Sequence, residues 1–142
     1  MGHPAVEAVM TTLYTFGYLS ARSERIITEL IAVRTPLVDI RYNPTSRHWQ
    51  YTQDALSKRA GDLYFHLVEL GNENYQSALD GKYQEPGVKF HDLETGLIRL
   101  SVLLSDYGRA AIFCACSSKK TCHRIRVAEL AKERLGVWVI HL

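Results

Sequence analysis

The chain has 142 residues, a formal net charge of +2 at pH 7 and 46% hydrophobic residues. That length suits a single domain able to bury roughly 68–70% of its unfolded surface without staples. Charged residues at 23% exclude a disordered, collagen-like or coiled-coil chain, and +2 is too weak a field to hold nucleic acid by bulk charge alone.

Strand and helix patterns alternate along the chain. Leu13 to Phe16 is a short strand closed by Gly17. Ser20 and Ser23 are helix-start candidates, followed by Ile26, Ile27, Leu30 and Ile31 at helical spacing. Pro36 stops that helix, and Leu37, Val38 and Ile40 form a second strand. A polar turn over 42–50 leads to Thr52, which can cap a helix carrying Ala55, Leu56 and Arg59 and ending before Gly61. Leu63 to Val68 is a third strand, and 71–90 reads as a surface excursion. Leu93, Leu97, Leu100 and Leu104 stripe the next helix. Ala110 to Cys114 is a fourth strand. The last helix carries Ile125, Ala128, Leu130, Ala131 and Leu135 and is ended by Gly136. Val137 to Leu142 is a fifth strand, apolar on both faces as a buried parallel strand is. Together they predict one α/β domain over 1–142. Its sheet is mainly parallel, five-stranded and flanked by helices, in a Rossmann-like or flavodoxin-like three-layer arrangement. Strand order stays open.

Cys114, Cys116 and Cys122 crowd into nine residues. An odd cluster in one loop points to a reduced, cytoplasmic protein rather than a secreted disulfide framework. No run reaches the ~18 apolar residues of a membrane helix, so no membrane partner is expected.

Ligands of open parallel sheets bind beyond the carboxyl ends of the strands. Polar and reactive groups follow several of the predicted strands. Asp39 and Arg41 share one face of the second strand, Ile40 the other. Such a pair either presents its guanidinium to an anion or fastens the following loop. Ser46 and Arg47 follow in the turn, and Arg47 is a second arm of an anion clamp or a solvated arginine. Near the start of the last helix stand Lys119, Lys120, Cys122, His123 and Arg124. A helix N-terminus favours an anion, and Arg124 is out of place there without one. A thiol there loses its proton more easily, so Cys122 is a candidate nucleophile and His123 a candidate acid/base. Cys114 reads as a small core residue.

Three templates are absent. A phosphatase loop needs arginine six positions after its cysteine; six after Cys116 is Cys122, and six after Cys114 is Lys120. There is no G-x-G-x-x-G and no Walker loop. No cofactor is expected. Zinc held by Cys114, Cys116 and Cys122 is the metal alternative, although Cys122 and His123, adjacent on a helix, diverge by about 100°.

The motifs Tyr14-Thr15-Phe16-Gly17-Tyr18, Val38-Asp39-Ile40-Arg41, Pro44-Thr45-Ser46-Arg47, Leu70-Gly71, and Cys114 with Cys122-His123-Arg124 occur in that order. In this the chain resembles the family called domain of unknown function 488. Many of its members carry an acidic residue two positions after the strand cysteine, where this chain has Cys116. The resemblance implies the α/β fold and a site at the strand ends, without a reaction.

Three functions compete. The first is an enzyme acting on a phosphate-bearing substrate, such as a nucleotide or nucleic-acid end. Tyr18, Arg41, Ser46, Arg47 and Arg124 hold the anion, and Asp39, Cys122 and His123 do the chemistry. The second is a non-catalytic module for single-stranded nucleic acid, in which Tyr42, Trp49 and Tyr51 interleave with Arg41, Arg47 and His48. The third is a cysteine-based metal or redox sensor. The residue pattern favours the first, with a small anionic ligand as partner. It leaves the oligomeric state open.

Overall fold

The computed structural model describes residues 11–74, 87–115 and 123–142. Within them the chain forms β1 (Thr12–Gly17), α1 (Ser23–Ala32), β2 (Leu37–Asp39), α2 (Gln53–Ala60), β3 (Tyr64–His66), α3 (Leu93–Tyr107), β4 (Arg109–Cys114), α4 (His123–Leu135) and β5 (Trp138–His141). All five strands are parallel, in the order β3-β2-β4-β1-β5. The alternation of strand and helix therefore gives the three-layer α/β sheet that the sequence predicts.

The two periodicities assign the layers. Ile26, Ile27 and Leu30 of α1 and Leu56 and Ala60 of α2 pack with Phe16, Leu37, Ala111 and Phe113 on one face of the sheet. The leucine stripe of α3 and Val127, Ala128 and Ala131 of α4 pack with Leu13, Val38, Ile40, Ala110 and Ile112 on the other. Alternate strand residues thus feed opposite cores, as a period of two requires.

The helix starts separate in an instructive way. Thr52 caps α2 as expected, its Oγ1 accepting from the Ala55 N–H. Gly61 follows that helix with φ +60, a left-handed position that favours glycine. Thr52→Ala removes the cap and is expected to lower stability by about 1 kcal/mol, read from urea unfolding; no change would deny the cap its role. Neither Ser20 nor Ser23 caps α1. Arg22 occupies the cap position without a side-chain bond, and the buried Ser23 hydroxyl lies 2.9 Å from Tyr51 Oη instead.

One expectation is overturned. The fifth strand is not buried on both faces; β5 is an edge strand, with Trp138 58% and Ile140 44% exposed. Val139 packs against the α3/α4 core, while Trp138, Ile140 and Leu142 alternate onto the other face. Apolar content told only that the strand prefers burial, and its place as the last strand of the sheet leaves these side chains exposed. Part of the 71–90 excursion lies outside the described residues. Its described ends meet in an antiparallel bridge between Asn72 and Phe90.

Candidate functional site

Strand order creates a crevice. The chain leaves β1 toward the α1 face and leaves β4 toward the α4 face, and β1 and β4 are neighbours. Two adjacent strands whose connections diverge open a gap beyond their carboxyl ends, where ligands of such sheets bind. Gly17 pairs with Cys114 at this point, and the Tyr18 N–H donates to the Cys114 carbonyl at 3.0 Å.

Asp39 and Arg41 lie beside the crevice, at the end of β2. Asp39 is fully buried, and Arg41 nearly so. Arg41 Nε donates to Asp39 Oδ1 at 2.8 Å and Nη2 to Oδ2 at 2.6 Å, a bidentate pair. The Arg41 backbone N–H and the Tyr64 hydroxyl also donate to the carboxylate, the latter at 2.5 Å. Arg41 Nη1 donates to the carbonyls of Thr45 and Tyr51. The guanidinium sits over the rings of Tyr18 and Phe113, 5.2 and 5.8 Å from their centroids.

Four of the five guanidinium N–H groups thus have protein acceptors. Of the two roles open to this pair, the geometry builds the second: Arg41 fastens the 42–51 loop to the sheet. Burial by itself weakens the hold of Arg41 on its proton, but the hydrogen bond and charge of Asp39 outweigh it, and its pKa rises above the ordinary arginine value. Burial, and then the Asp39 charge and hydrogen bond, push the Tyr64 phenol well above the usual phenol range.

The start of α4 is tied to the same place. His123 Nε2 lies 2.8 Å from the Ile40 carbonyl. A carbonyl only accepts, so Nε2 carries a proton and donates it. His66 Nε2 meets the Arg41 carbonyl in the same way, at 2.8 Å. Arg124, in the first turn of α4, is buried and directs Nη1 to Cys114 Sγ at 3.6 Å. Cys114 is buried in the core, as read from the sequence.

Tyr18 is buried and stacks on Tyr51 with centroids 4.6 Å apart. Ser46 accepts from the His48 N–H, which shapes the turn, and Arg47 is exposed on it. The strand ends therefore bring together Tyr18, Asp39, Arg41, Cys114, His123 and Arg124, while Arg47 stays at the surface. Cys116, Lys119, Lys120 and Cys122 lie outside the described residues. Among the described residues no three His, Cys, Asp or Glu side chains are grouped to hold a metal, and no helix is long and apolar enough to cross a membrane.

Tyr64 and His66 are not among the site residues that the sequence pattern suggests. Tyr64 and His66 alternate on one strand, a visible signal, but their partners depend on β3 lying beside β2. Gly71 has a packing reason: a Cβ there would stand 2.5 Å from the Tyr42 Cα, so the backbone following Leu70 passes against the loop that Arg41 fastens.

A family model described as domain of unknown function DUF488 matches residues 23–131. No curated protein and no solved structure matches the chain.

Proposed function

The chain belongs to the DUF488 family, and from its own residues we propose that it is an enzyme binding a small phosphate-bearing substrate, a nucleotide or a nucleic-acid end, at the carboxyl edge of its sheet. One observation carries this reading. Among the described residues, the buried formal charges at this edge are two guanidiniums, Arg41 and Arg124, against one carboxylate, Asp39. The connection 116–122, between β4 and α4, contains two lysines and no acid. Asp39 is committed to Arg41, and Arg124 brings a second guanidinium to the first turn of α4. The helix dipole there is itself positive and disfavours a cation. A bound phosphate answers both, taking charge from Arg124 and N–H groups from the helix start.

Residue roles follow. Arg124 is the primary anion ligand; Arg47 and, a few residues earlier in the sequence than Arg124, Lys119 and Lys120 add positive charge. Tyr18 and the Asp39–Arg41 pair hold the floor of the crevice, so Asp39 acts by orienting Arg41. His123 is the acid/base, and Cys122, its sequence neighbour, is the nucleophile. The working compartment on this reading is the cytoplasm, with the cysteines reduced.

Titration calorimetry with inorganic phosphate tests the anion site. Arg124→Met is expected to weaken binding roughly tenfold or more, the worth of a charged hydrogen bond, while Arg124→Lys retains part of it. Undiminished binding in a folded Arg124→Met variant would refute the assignment. A second reading, single-stranded nucleic acid, draws on Trp49. This ring is 78% exposed and lines a groove of ≈ 510 Å³ with Lys58 and Arg59. Tyr51 is buried, which takes it out of the stacking set. Oligonucleotide binding lost in Trp49→Ala but kept in Arg124→Met would favour that reading.

A further inference from the structure

We propose that the substrate is a phosphorylated single-stranded nucleic-acid end, longer than one nucleotide, with a base stacked on Trp49, a reading that rests on the phosphate site at Arg124.

Trp49 belongs to a second, shaped surface. Its ring is 78% exposed and lines the ≈ 510 Å³ groove with Glu24 of α1 and Ala55, Lys58 and Arg59 of α2. Arg59 ties the two helices together. Its Nη1 donates to Glu24 Oε1 at 2.9 Å and its Nη2 to Thr28 Oγ1 at 2.8 Å. The charge of Arg59 is thereby answered. Among the described residues the Lys58 ammonium has no such carboxylate, and the Gln50 amide, also in the groove, has no hydrogen-bond partner. A flat indole, an ammonium and an unengaged amide match the parts of one nucleotide unit: the base face, the phosphodiester and the base edge. An apolar partner would answer the indole but cover the ammonium and the amide without partners.

The groove is not isolated. At Glu24 and Gln50 it meets a smaller depression of ≈ 220 Å³, lined in part by the stacked rings of Tyr18 and Tyr51. Tyr18 lies under the Arg41 guanidinium, and its N–H donates to the carbonyl of Cys114, whose thiol Arg124 meets. The two depressions therefore run from the α1/α2 face toward the carboxyl edge of the sheet. Arg124 belongs to α4, which packs on the opposite face. A ligand held by both Arg124 and Trp49 crosses that edge. One nucleotide with its phosphate at Arg124 lays its sugar and base over the Tyr18–Tyr51 stack, and the next base is the one that reaches Trp49. The terminal phosphate then points inward, and the rest of the strand leaves over α1 and α2.

Titration calorimetry separates this extended site from the phosphate site alone. The probes are inorganic phosphate and thymidine oligonucleotides of one to four units carrying a 5′- or a 3′-phosphate, with a uridine series to tell a DNA end from an RNA end. In at least one series affinity is expected to rise about tenfold or more between one unit and three, the worth of one stacked base. Trp49→Ala, folded by circular dichroism, should abolish that rise and leave the binding of phosphate and of the single nucleotide unchanged. Trp49→Phe should keep much of the rise, and Arg124→Met should weaken every length. Affinity flat with length, in a protein that binds phosphate, would overturn the extended site and leave the phosphate site standing. So would a rise that survives Trp49→Ala, or one that unphosphorylated oligonucleotides show equally. Failure of phosphate and of every oligonucleotide to bind would remove the phosphate site, and the extended site with it.

Discussion

Asp39→Ala is expected to destabilise the protein by about 3–5 kcal/mol, because it leaves the Arg41 guanidinium buried without its counter-charge. For a domain of this size the melting temperature should fall by roughly 10–15 °C. The carboxylate accepts four hydrogen bonds, two of them from the arginine side chain, so no single substitution at the strand ends removes more. The loss should spread to the 42–51 loop, whose Thr45 and Tyr51 carbonyls Arg41 holds. Hydrogen exchange there should quicken more than in β1 or β4. Urea unfolding checks the magnitude. The double variant Asp39→Leu with Arg41→Met removes both charges together and should recover much of the loss. A loss below about 1 kcal/mol for Asp39→Ala would mean that the pair does not anchor the site.

The second large effect is expected at Phe113. It is fully buried at the end of β4, stacks on Phe16 with centroids 5.3 Å apart, and lies beneath Arg41. Phe113→Ala should cost about 3–5 kcal/mol through lost burial and the cavity left behind. Because that cavity opens under the guanidinium, Phe113→Ala and Asp39→Ala should couple rather than add. Phe113→Leu keeps most of the volume and should cost less than half as much. Equal losses in the two variants would show that the ring's place under Arg41 matters more than its volume.

Much of the fold was legible because its elements carry their own periodicity. The stripe Leu97, Leu100, Leu104 fixed a helix, and Asp39 and Arg41 fell on one strand face from a period of two alone. The cap at Thr52 rested on local chemistry and needed no tertiary information. What remained hidden depends on strand order. The Tyr64 hydroxyl reaches Asp39 only because β3 neighbours β2. His123 meets Ile40 only because β4, the strand before α4, lies beside β2. The misreading of β5 has the same root: Trp138 and Ile140 look like core residues, and only the order β3-β2-β4-β1-β5 puts them on the last strand of the sheet, where they are exposed. Arg41 shows a different limit. Sequence placed it beside Asp39, but whether its donors face a ligand or the protein is decided by the path of the 42–51 loop, which no spacing encodes.

The central claim is that the carboxyl edge binds an anion, and a thermal-shift scan with phosphate, sulfate, mononucleotides and short oligonucleotides tests it most directly. A ligand at a hundred times its dissociation constant adds about 2.7 kcal/mol, which here is roughly 5 °C or more. The account predicts a rise of that size with phosphate or a mononucleotide, lost in Arg124→Met. A melting temperature unmoved by every anion in the scan would contradict it.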